Sequence, residues 1–276
     1  LIAFLQTYGF KSLAARVQGA GKIVSAQSSS APSPTLPLKE EGDNAIPPES
    51  RILNPESYQT IRSEAELSEW IAKARKKGFV AFDTETTSLN ALSAELVGFS
   101  LCVEAGEACY VPLSHKALGE RPEARVAGDL FSPLPPASCL LPDQIPLPRA
   151  IALLKPLLED ESVLKIGHNI KYDMAVMARY GVNVAPIDDS MLISYVLEGG
   201  AHGHGMDELS ELHLGHSTIK FNDVAGSGKS QVTFDHVPLD KALAYAAEDA
   251  DVTWRLHGTL KPRLIAEGLM TIYETI

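Results

Sequence analysis

Residues 78–87 read G-F-V-A-F-D-T-E-T-T, an apolar run that leads into two acids. Four apolar residues follow a glycine, the pattern of a short buried strand, and Asp83 and Glu85 stand at its far end. Because side chains in a strand alternate between faces, residues two apart project from the same face. Two unit charges about 4 Å apart repel by on the order of 4 kcal/mol at an effective dielectric of about 20. A cation is therefore expected beside them, and carboxylate oxygens suit Mg²⁺ or Mn²⁺.

A plainer interpretation of this pair stays open, in which Asp83 caps a turn and Glu85 faces water.

Two later stretches carry further acids. Residues 165–173, K-I-G-H-N-I-K-Y-D, leave a buried strand and enter a helix with Asp173 in its first turns and Asn169 as a candidate cap. Residues 245–249, Y-A-A-E-D, place Tyr245 and Asp249 on one helix face, separated by small alanines. These two stretches also have structural explanations, as a dipole-favoured acid and an amphipathic edge.

Composition allows either one large domain or one domain with attachments. The chain has 276 residues with 45% hydrophobic content, and its three cysteines show no C-x-x-C spacing, which indicates neither a zinc site nor a disulfide framework. No apolar run approaches the roughly 20 residues of a membrane span, and no basic segment precedes the opening L-I-A-F-L. We therefore expect no membrane partner, no signal peptide and a reducing, cytoplasmic location.

The net charge of −11 argues against strong binding of nucleic acid by this chain alone. Non-specific affinity for phosphates comes from Lys and Arg, which are outnumbered here. Bound divalent cations reverse the local sign of the charge. Contact with nucleic acid is therefore expected to be weak and metal-dependent.

The hydrophobic pattern predicts an α/β domain with a mixed sheet. Residues 1–17 predict a helix of a preceding unit, 18–51 a Ser/Pro-rich flexible linker, and 117–148 a long surface loop. Strands are predicted at residues 79–82, 96–103, 108–113 and 163–166, and helices at 64–77, 151–158, 171–180, 189–197, 206–214 and 240–265. The stretch Ser63-Glu64-Ala65-Glu66 predicts a capping box at the start of the first helix. Early strands followed by helices that flank a later strand are typical of this class.

In this order, the D-x-E, N-x-K-x-D and Y-x-x-x-D patterns resemble the three motifs of the DEDD exonuclease superfamily, tyrosine branch. The stretches I-G-H-N-I-K-Y-D, A-G-S-G-K-S-Q-V-T-F and Y-A-A-E-D-A-D-V-T are similar to the 3′–5′ exonuclease (proofreading) domain family of bacterial DNA polymerase I, over residues 52–262. That resemblance implies an RNase H-like mixed sheet flanked by helices. Residues 1–17 resemble the tail of a 5′-nuclease domain, and residues 263–276 the approach to a polymerase domain. His168, where glutamine is expected, and the long loop at 117–148 depart from the family.

The resemblance also implies a mechanism and a set of site residues. Two divalent cations, Mg²⁺ or Mn²⁺, would be held by four carboxylates, with Tyr245 orienting the attacking water. A frayed single-stranded DNA 3′ end would be the substrate of this monomer, and 5′-mononucleotides the product. The four carboxylates are those of Asp83, Glu85, Asp173 and Asp249, and the substrate contacts would come from Leu89, Asn169, Lys171 and Phe221. Core packing remains the alternative for Leu89 and Phe221, and solvation for Lys171.

Two other functions stay open beside this one. A ribonuclease D-type RNA exonuclease shares the carboxylates, and a catalytically silent domain would only brace a polymerase.

Two further sequence patterns do not predict the sites that they resemble. The G-S-G-K-S at residues 226–230 lacks the first P-loop glycine, because Asp223 stands there. The spacing of His202, His204, His213 and His216 fits no zinc pattern with cysteines.

Overall fold

The structure is a computed structural model, and it describes residues 57–116 and 140–275. The predicted helix at 1–17, the predicted linker at 18–51 and residues 117–139 of the predicted loop lie outside the described residues. Within the described part, no helix is both long enough and apolar enough to cross a membrane.

Six strands form one mixed sheet in the order β1-β4-β3-β2-β5-β6. β3 runs antiparallel to β2 and β4, whereas the other neighbouring pairs are parallel. This arrangement confirms the predicted α/β class with a mixed sheet. The strands are β1 (Gln59–Thr60), β2 (Phe79–Thr86), β3 (Leu96–Glu104), β4 (Glu107–Pro112), β5 (Leu164–Gly167) and β6 (Ile187–Asp189).

Helices flank this sheet. They are α1 (Glu64–Lys77), α2 (Leu147–Leu158), α3 (Lys171–Ala178), α4 (Ser190–Glu198), α5 (Met206–Leu209), α6 (Phe221–Ala225), α7 (Leu239–Ala266) and α8 (Met270–Thr275). A π-helical segment, Ser210–Leu214, continues α5 directly. Short 3₁₀ turns occupy Gly228–Ser230 and Phe234–His236.

The capping box predicted for α1 is confirmed. Ser63 Oγ accepts the Glu66 amide at 3.2 Å, and Glu66 Oε2 accepts the Ser63 amide at 3.0 Å. The helix ends at Gly78, whose φ of 82° lies in the left-handed region that glycine adopts without strain. After this turn the chain continues directly into β2, the strand that carries Asp83 and Glu85.

The long helix α7 covers one face of the sheet. Its Ala247 and Ala250 are completely buried against Ala81 of β2, Cys102 of β3 and Ile166 of β5. The small side chains of these two alanines let the helix approach the strands closely. The helix that carries Tyr245 and Asp249 is therefore held next to the strand that carries the first two acids.

Several predicted element bounds are wrong. β1 and β6 were not predicted, because two- and three-residue strands are too short to show a period, and I-D-D of β6 reads as polar. α2 begins at Leu147, inside the predicted loop, because prolines are tolerated in a first helical turn. The predicted helix at 206–214 divides into α5 and the π-helical segment. Neither α6 nor α8 was predicted, since each has only one to two turns.

Candidate active site

Strand β2 brings two acids to one face. Asp83 pairs with Ser100 of β3, and Glu85 pairs with Gly98, so the two side chains are separated by a single pleat. Asp249 approaches from α7, and one oxygen of each of the three carboxylates lies within 4.8 Å of the others. Residues far apart in the chain thus form one acidic cluster, here called the carboxylate cluster: Asp83, Glu85 and Asp249.

Burial and mutual repulsion make this cluster costly without a counter-charge. Burial, followed by repulsion from Asp249, raises the pKa of Asp83 well above its usual value. The pKa of Glu85 is raised by burial and then by Asp83 and Asp249, and that of Asp249 by burial and then by Glu248. Glu85 is itself buried, with a relative exposure of 8%.

The carboxylate cluster fits a divalent cation. Among the described residues, Glu85 Oε1 has no hydrogen-bond partner although it is buried. Buried polar atoms normally have a hydrogen-bond partner, so a bound cation would account for this unpaired oxygen. Carboxylate oxygens are the donors that Mg²⁺ and Mn²⁺ prefer, and a cation there would offset the repulsion among the three acids.

Asp173 lies beside the cluster rather than within it. Thr84 of β2 holds it there: Asp173 Oδ1 accepts hydrogen bonds from the Thr84 amide at 2.9 Å and from the Thr84 hydroxyl at 2.5 Å. Burial, and then repulsion from Asp83, raises the pKa of Asp173. Thr84 was not singled out from the sequence, since its role depends on a contact with a residue 89 positions away.

Tyr245 stands one helical turn before Asp249. Its ring packs against Phe221 at 6.2 Å and Phe234 at 5.8 Å between ring centroids. Burial, and then the Asp249 charge, raises the pKa of Tyr245, so the phenol keeps its proton. Phe234, which is buried, was missed from the sequence because nothing in its local pattern shows that it contacts the motif tyrosine.

The interpretation of Asn169 as a helix cap is wrong. Its backbone adopts a φ of 62°, and no side chain caps α3 in the usual position. Instead, the Asp189 carboxylate at the end of β6 accepts the amides of Asn169 at 2.9 Å and Ile170 at 3.0 Å. The cap comes from a neighbouring strand, which the local sequence does not reveal.

The predicted substrate residues lie at or near the surface. Leu89 follows β2 in a loop and is 97% exposed, which is incompatible with core packing. Tyr172 donates to the Ser88 carbonyl at 2.5 Å and so fixes the start of that loop. Phe221 is 38% exposed at the start of α6, and Lys171 is exposed at the start of α3.

Comparisons with known proteins identify the family and relatives of this chain. A model of the 3′–5′ exonuclease family matches residues 58–265. DNA polymerase I of Rhizobium leguminosarum is 52% identical over 80% of this chain and 21% of that protein, and DNA polymerase I of Pseudomonas aeruginosa is 41% identical over 83% and 23%. The chain therefore spans about a fifth of the length of these relatives.

The fold also occurs in a solved structure. Brucella melitensis NrnC with bound Mg²⁺ superposes with a TM-score of 0.52 at 21% identity, over 79% of this chain and 86% of that one. At this identity the likeness concerns the fold. The family match covers the strand, the junction and the helix that carry all five predicted catalytic residues, and by that match this chain belongs to the family of hydrolytic 3′–5′ exonuclease domains.

Proposed function

We propose that this chain removes single nucleotides from a frayed, single-stranded DNA 3′ end as the proofreading part of a DNA polymerase I. The observation that carries the proposal is the carboxylate cluster, with three acids within 4.8 Å and a buried, unpaired Glu85 oxygen. The names of the two curated relatives support DNA as the substrate.

Each acid has a separate role in this proposal. Asp83, Glu85 and Asp249 would hold one divalent cation, and Asp173, oriented by Thr84, would help Asp83 to hold a second. When bound, a pair of such cations, Mg²⁺ or Mn²⁺, supplies positive charge to the attacking and leaving oxygens of the phosphodiester. The protein contributes fixed positions for the acids on a core strand and two packed helices.

Tyr245 and Glu85 orient the attacking water. The tyrosine keeps its proton and is held by Phe221 and Phe234, so its hydroxyl is available as a fixed hydrogen-bonding group. Glu85, whose charge is close enough to raise the pKa of Tyr245, accepts a hydrogen bond from the same water. Correct alignment of a reactant can contribute several orders of magnitude in rate. Water attacks phosphorus, the bond to the 3′ oxygen breaks, and a 5′-mononucleotide leaves.

The substrate is held by exposed groups around the cluster. Leu89 and Phe221 offer apolar surface on which the terminal bases stack without sequence preference. Lys171 contacts a phosphate, and Asn169 supports the strand at the junction between β5 and α3. A duplex end must fray to reach these contacts, since a paired terminus does not bend into such a pocket.

The proposal extends to the whole protein. Residues 1–17 belong to a 5′-nuclease domain, 18–51 form a linker, 52–262 form the exonuclease domain, and 263–276 begin the connection to a polymerase domain. The full-length chain acts as a cytoplasmic monomer in replication and repair. The relatives' shared name and the chain's share of their length support this context.

One assay tests the activity. A single-stranded DNA carrying a 3′ label is incubated with the chain and Mg²⁺ or Mn²⁺, then with EDTA, and in parallel with the Asp83→Ala variant. We expect metal-dependent loss of 3′ nucleotides that EDTA abolishes and that Asp83→Ala reduces by at least about 100-fold. The matched control is Glu161→Gln, which alters an exposed acid outside the site and leaves the rate unchanged.

Two outcomes would overturn the proposal. Absence of metal-dependent digestion would favour a silent domain that braces a polymerase. Faster digestion of an RNA of the same sequence would favour a ribonuclease D-type activity.

A further inference from the structure

A second group of metal-binding side chains lies away from the carboxylate cluster. Glu198 Oε2 is 2.7 Å from His202 Nε2 and 3.3 Å from His213 Nε2, and ligand atoms of all three residues lie within 4.8 Å of one another. The spacing of the histidines in the sequence does not predict a zinc site. Glu198 supplies the third ligand of this group, and a carboxylate is not part of a histidine and cysteine motif.

We propose that Glu198, His202 and His213 form a binding site for a zinc-class divalent cation, here called the histidine site. Two imidazoles and one carboxylate are a donor set that Zn²⁺ takes in proteins, with a further position left for water or an external ligand. This donor set differs from the all-oxygen carboxylate cluster. The two sites are therefore expected to select different metals.

The surroundings of the histidine site prepare its ligands. His202 Nδ1 lies 2.5 Å from the Gly203 carbonyl, which can only accept, so Nδ1 carries a hydrogen, and Nε2 faces the Glu198 carboxylate at 2.7 Å. A cation bound between these two groups would displace the hydrogen on Nε2, since metal binding to histidine releases a proton. The contact with Gly203 is the type of outer interaction that orients metal-bound histidines. Arg263 Nη1 donates to the other oxygen of Glu198 at 2.6 Å and leaves Oε2 for the cation.

His213 supplies an independent indication of a ligand. Its Nε2 is buried and, among the described residues, makes no hydrogen bond, although Glu198 Oε2 lies 3.3 Å away. The ring sits on the π-helical segment Ser210–Leu214, and such segments are frequent at functional sites. A buried imidazole nitrogen aimed at a carboxylate and a second imidazole is accounted for by a shared cation.

Distances and charge also suit a metal ion. Ligand atoms around a tetrahedral Zn²⁺ lie about 3.3 Å apart, so the His213–Glu198 pair already has this spacing and the His202–Glu198 pair must separate by about 0.6 Å. Glu208 lies close enough to influence His202, and Glu267 pairs with Arg263 at 2.9 Å. The carboxylates therefore outnumber the guanidinium around the site.

The histidine site is distinct from the exonuclease site. Arg263 follows Asp249 by 14 residues on the continuous helix α7, which is a separation of about 21 Å along the helix axis. A cation bound there would join the end of α4, the loop after it and the π-helical segment. We infer a stabilising role that is independent of catalysis.

Zinc titration by calorimetry tests the inference on the tag-free chain. The titration uses an Asp83→Asn, Asp249→Asn background, which removes competing binding at the carboxylate cluster. We expect one Zn²⁺ per chain, and at least about tenfold weaker binding after His213→Gln or His202→Gln. His204→Gln is the matched control, because this neighbouring histidine bonds Ser194 instead and lies outside the ligand set.

Cobalt provides a spectroscopic readout that a purely structural role would not produce. Co²⁺ should give visible ligand-field bands in the double-variant background, and His213→Gln should abolish them while the metal-free circular dichroism spectrum stays the same. The inference is overturned if the background protein binds no Zn²⁺, or if His213→Gln binds it as tightly as the background. Equal weakening by His204→Gln would also contradict it.

Discussion

Thr84 donates both its amide and its hydroxyl to one oxygen of Asp173, at 2.9 and 2.5 Å. Thr84 sits between Asp83 and Glu85 on β2, so one strand holds two acids directly and orients a third through its middle residue. The geometry makes Thr84 a positioning residue for the acid that stands outside the carboxylate cluster.

Thr84→Val should therefore raise the Mg²⁺ concentration needed for half-maximal exonuclease activity by about tenfold. The hydroxyl is lost and Asp173 is held by the amide alone, and loss of such outer contacts typically costs 10- to 100-fold. A metal titration of initial rates measures the effect. Thr84→Ser keeps the hydroxyl and should restore the wild-type requirement. An equal Mg²⁺ requirement of the Val and Ser variants would show that the Thr84 hydroxyl does not position Asp173.

Tyr245→Phe should lower kcat by about 10- to 100-fold with little change in KM, because the hydroxyl orients water and does not bind the bases. The phenyl ring still packs against Phe221 and Phe234, so the melting temperature should stay the same. Steady-state kinetics on single-stranded DNA, with thermal unfolding of both proteins, measures this. An unchanged kcat would show that the hydroxyl has no part in the reaction.

His168 should make folding stability depend on acidity. Burial lowers the pKa of His168 to about 4 from 6.5, so the folded ring stays neutral while the unfolded ring gains a proton as the pH falls. The stability from this residue is complete above pH 6.5 and is lost as the pH falls towards 4, with a loss of about 2 kcal/mol at pH 5. His115, whose pKa is also lowered to about 4, adds to the same trend.

Urea unfolding at pH 7.5 and pH 5.0 tests this dependence. His168→Gln, which carries the residue expected in the family, should lose less stability between the two pH values than the wild type. Identical losses in the two proteins would contradict the assignment of the acid sensitivity to His168.

Gly98→Ala should lower the free energy of unfolding by about 1–3 kcal/mol. A Cβ at this position would stand 2.2 Å from the hydroxyl of Tyr110. Tyr110 is buried, and its hydroxyl is hydrogen-bonded to His115 Nε2 at 2.7 Å, so the side chain has little room to move. Urea denaturation measures the loss. Gly258→Ala is the matched control, because a Cβ there meets nothing within 4 Å and alanine favours the helix. The steric argument fails if the two variants are equally stable.

The sequence predicts the parts of the molecule that depend on local patterns. The apolar run of β2 and the capping box of α1 show their structure in a few consecutive residues, and both are confirmed. The strands β1 and β6 are held by neighbours rather than by their own residues. For that reason they were not predicted.

The site shows the same division. The motif order indicated the acids that now lie on β2, α3 and α7. Contacts between distant residues were not predictable: Asp189 caps Asn169, and Glu198 joins His202 and His213. In each case a carboxylate acts on a segment whose own sequence gives no sign of it.

Crystals of the protein grown with Mn²⁺ show whether the carboxylate cluster binds a cation, because anomalous scattering locates the ion without reference to activity. We expect a peak bounded by the carboxylates of Asp83, Glu85 and Asp249, and a second between Asp83 and Asp173 when a nucleotide is present. A well-ordered site with no Mn²⁺ peak within coordination distance of these carboxylates would contradict this expectation.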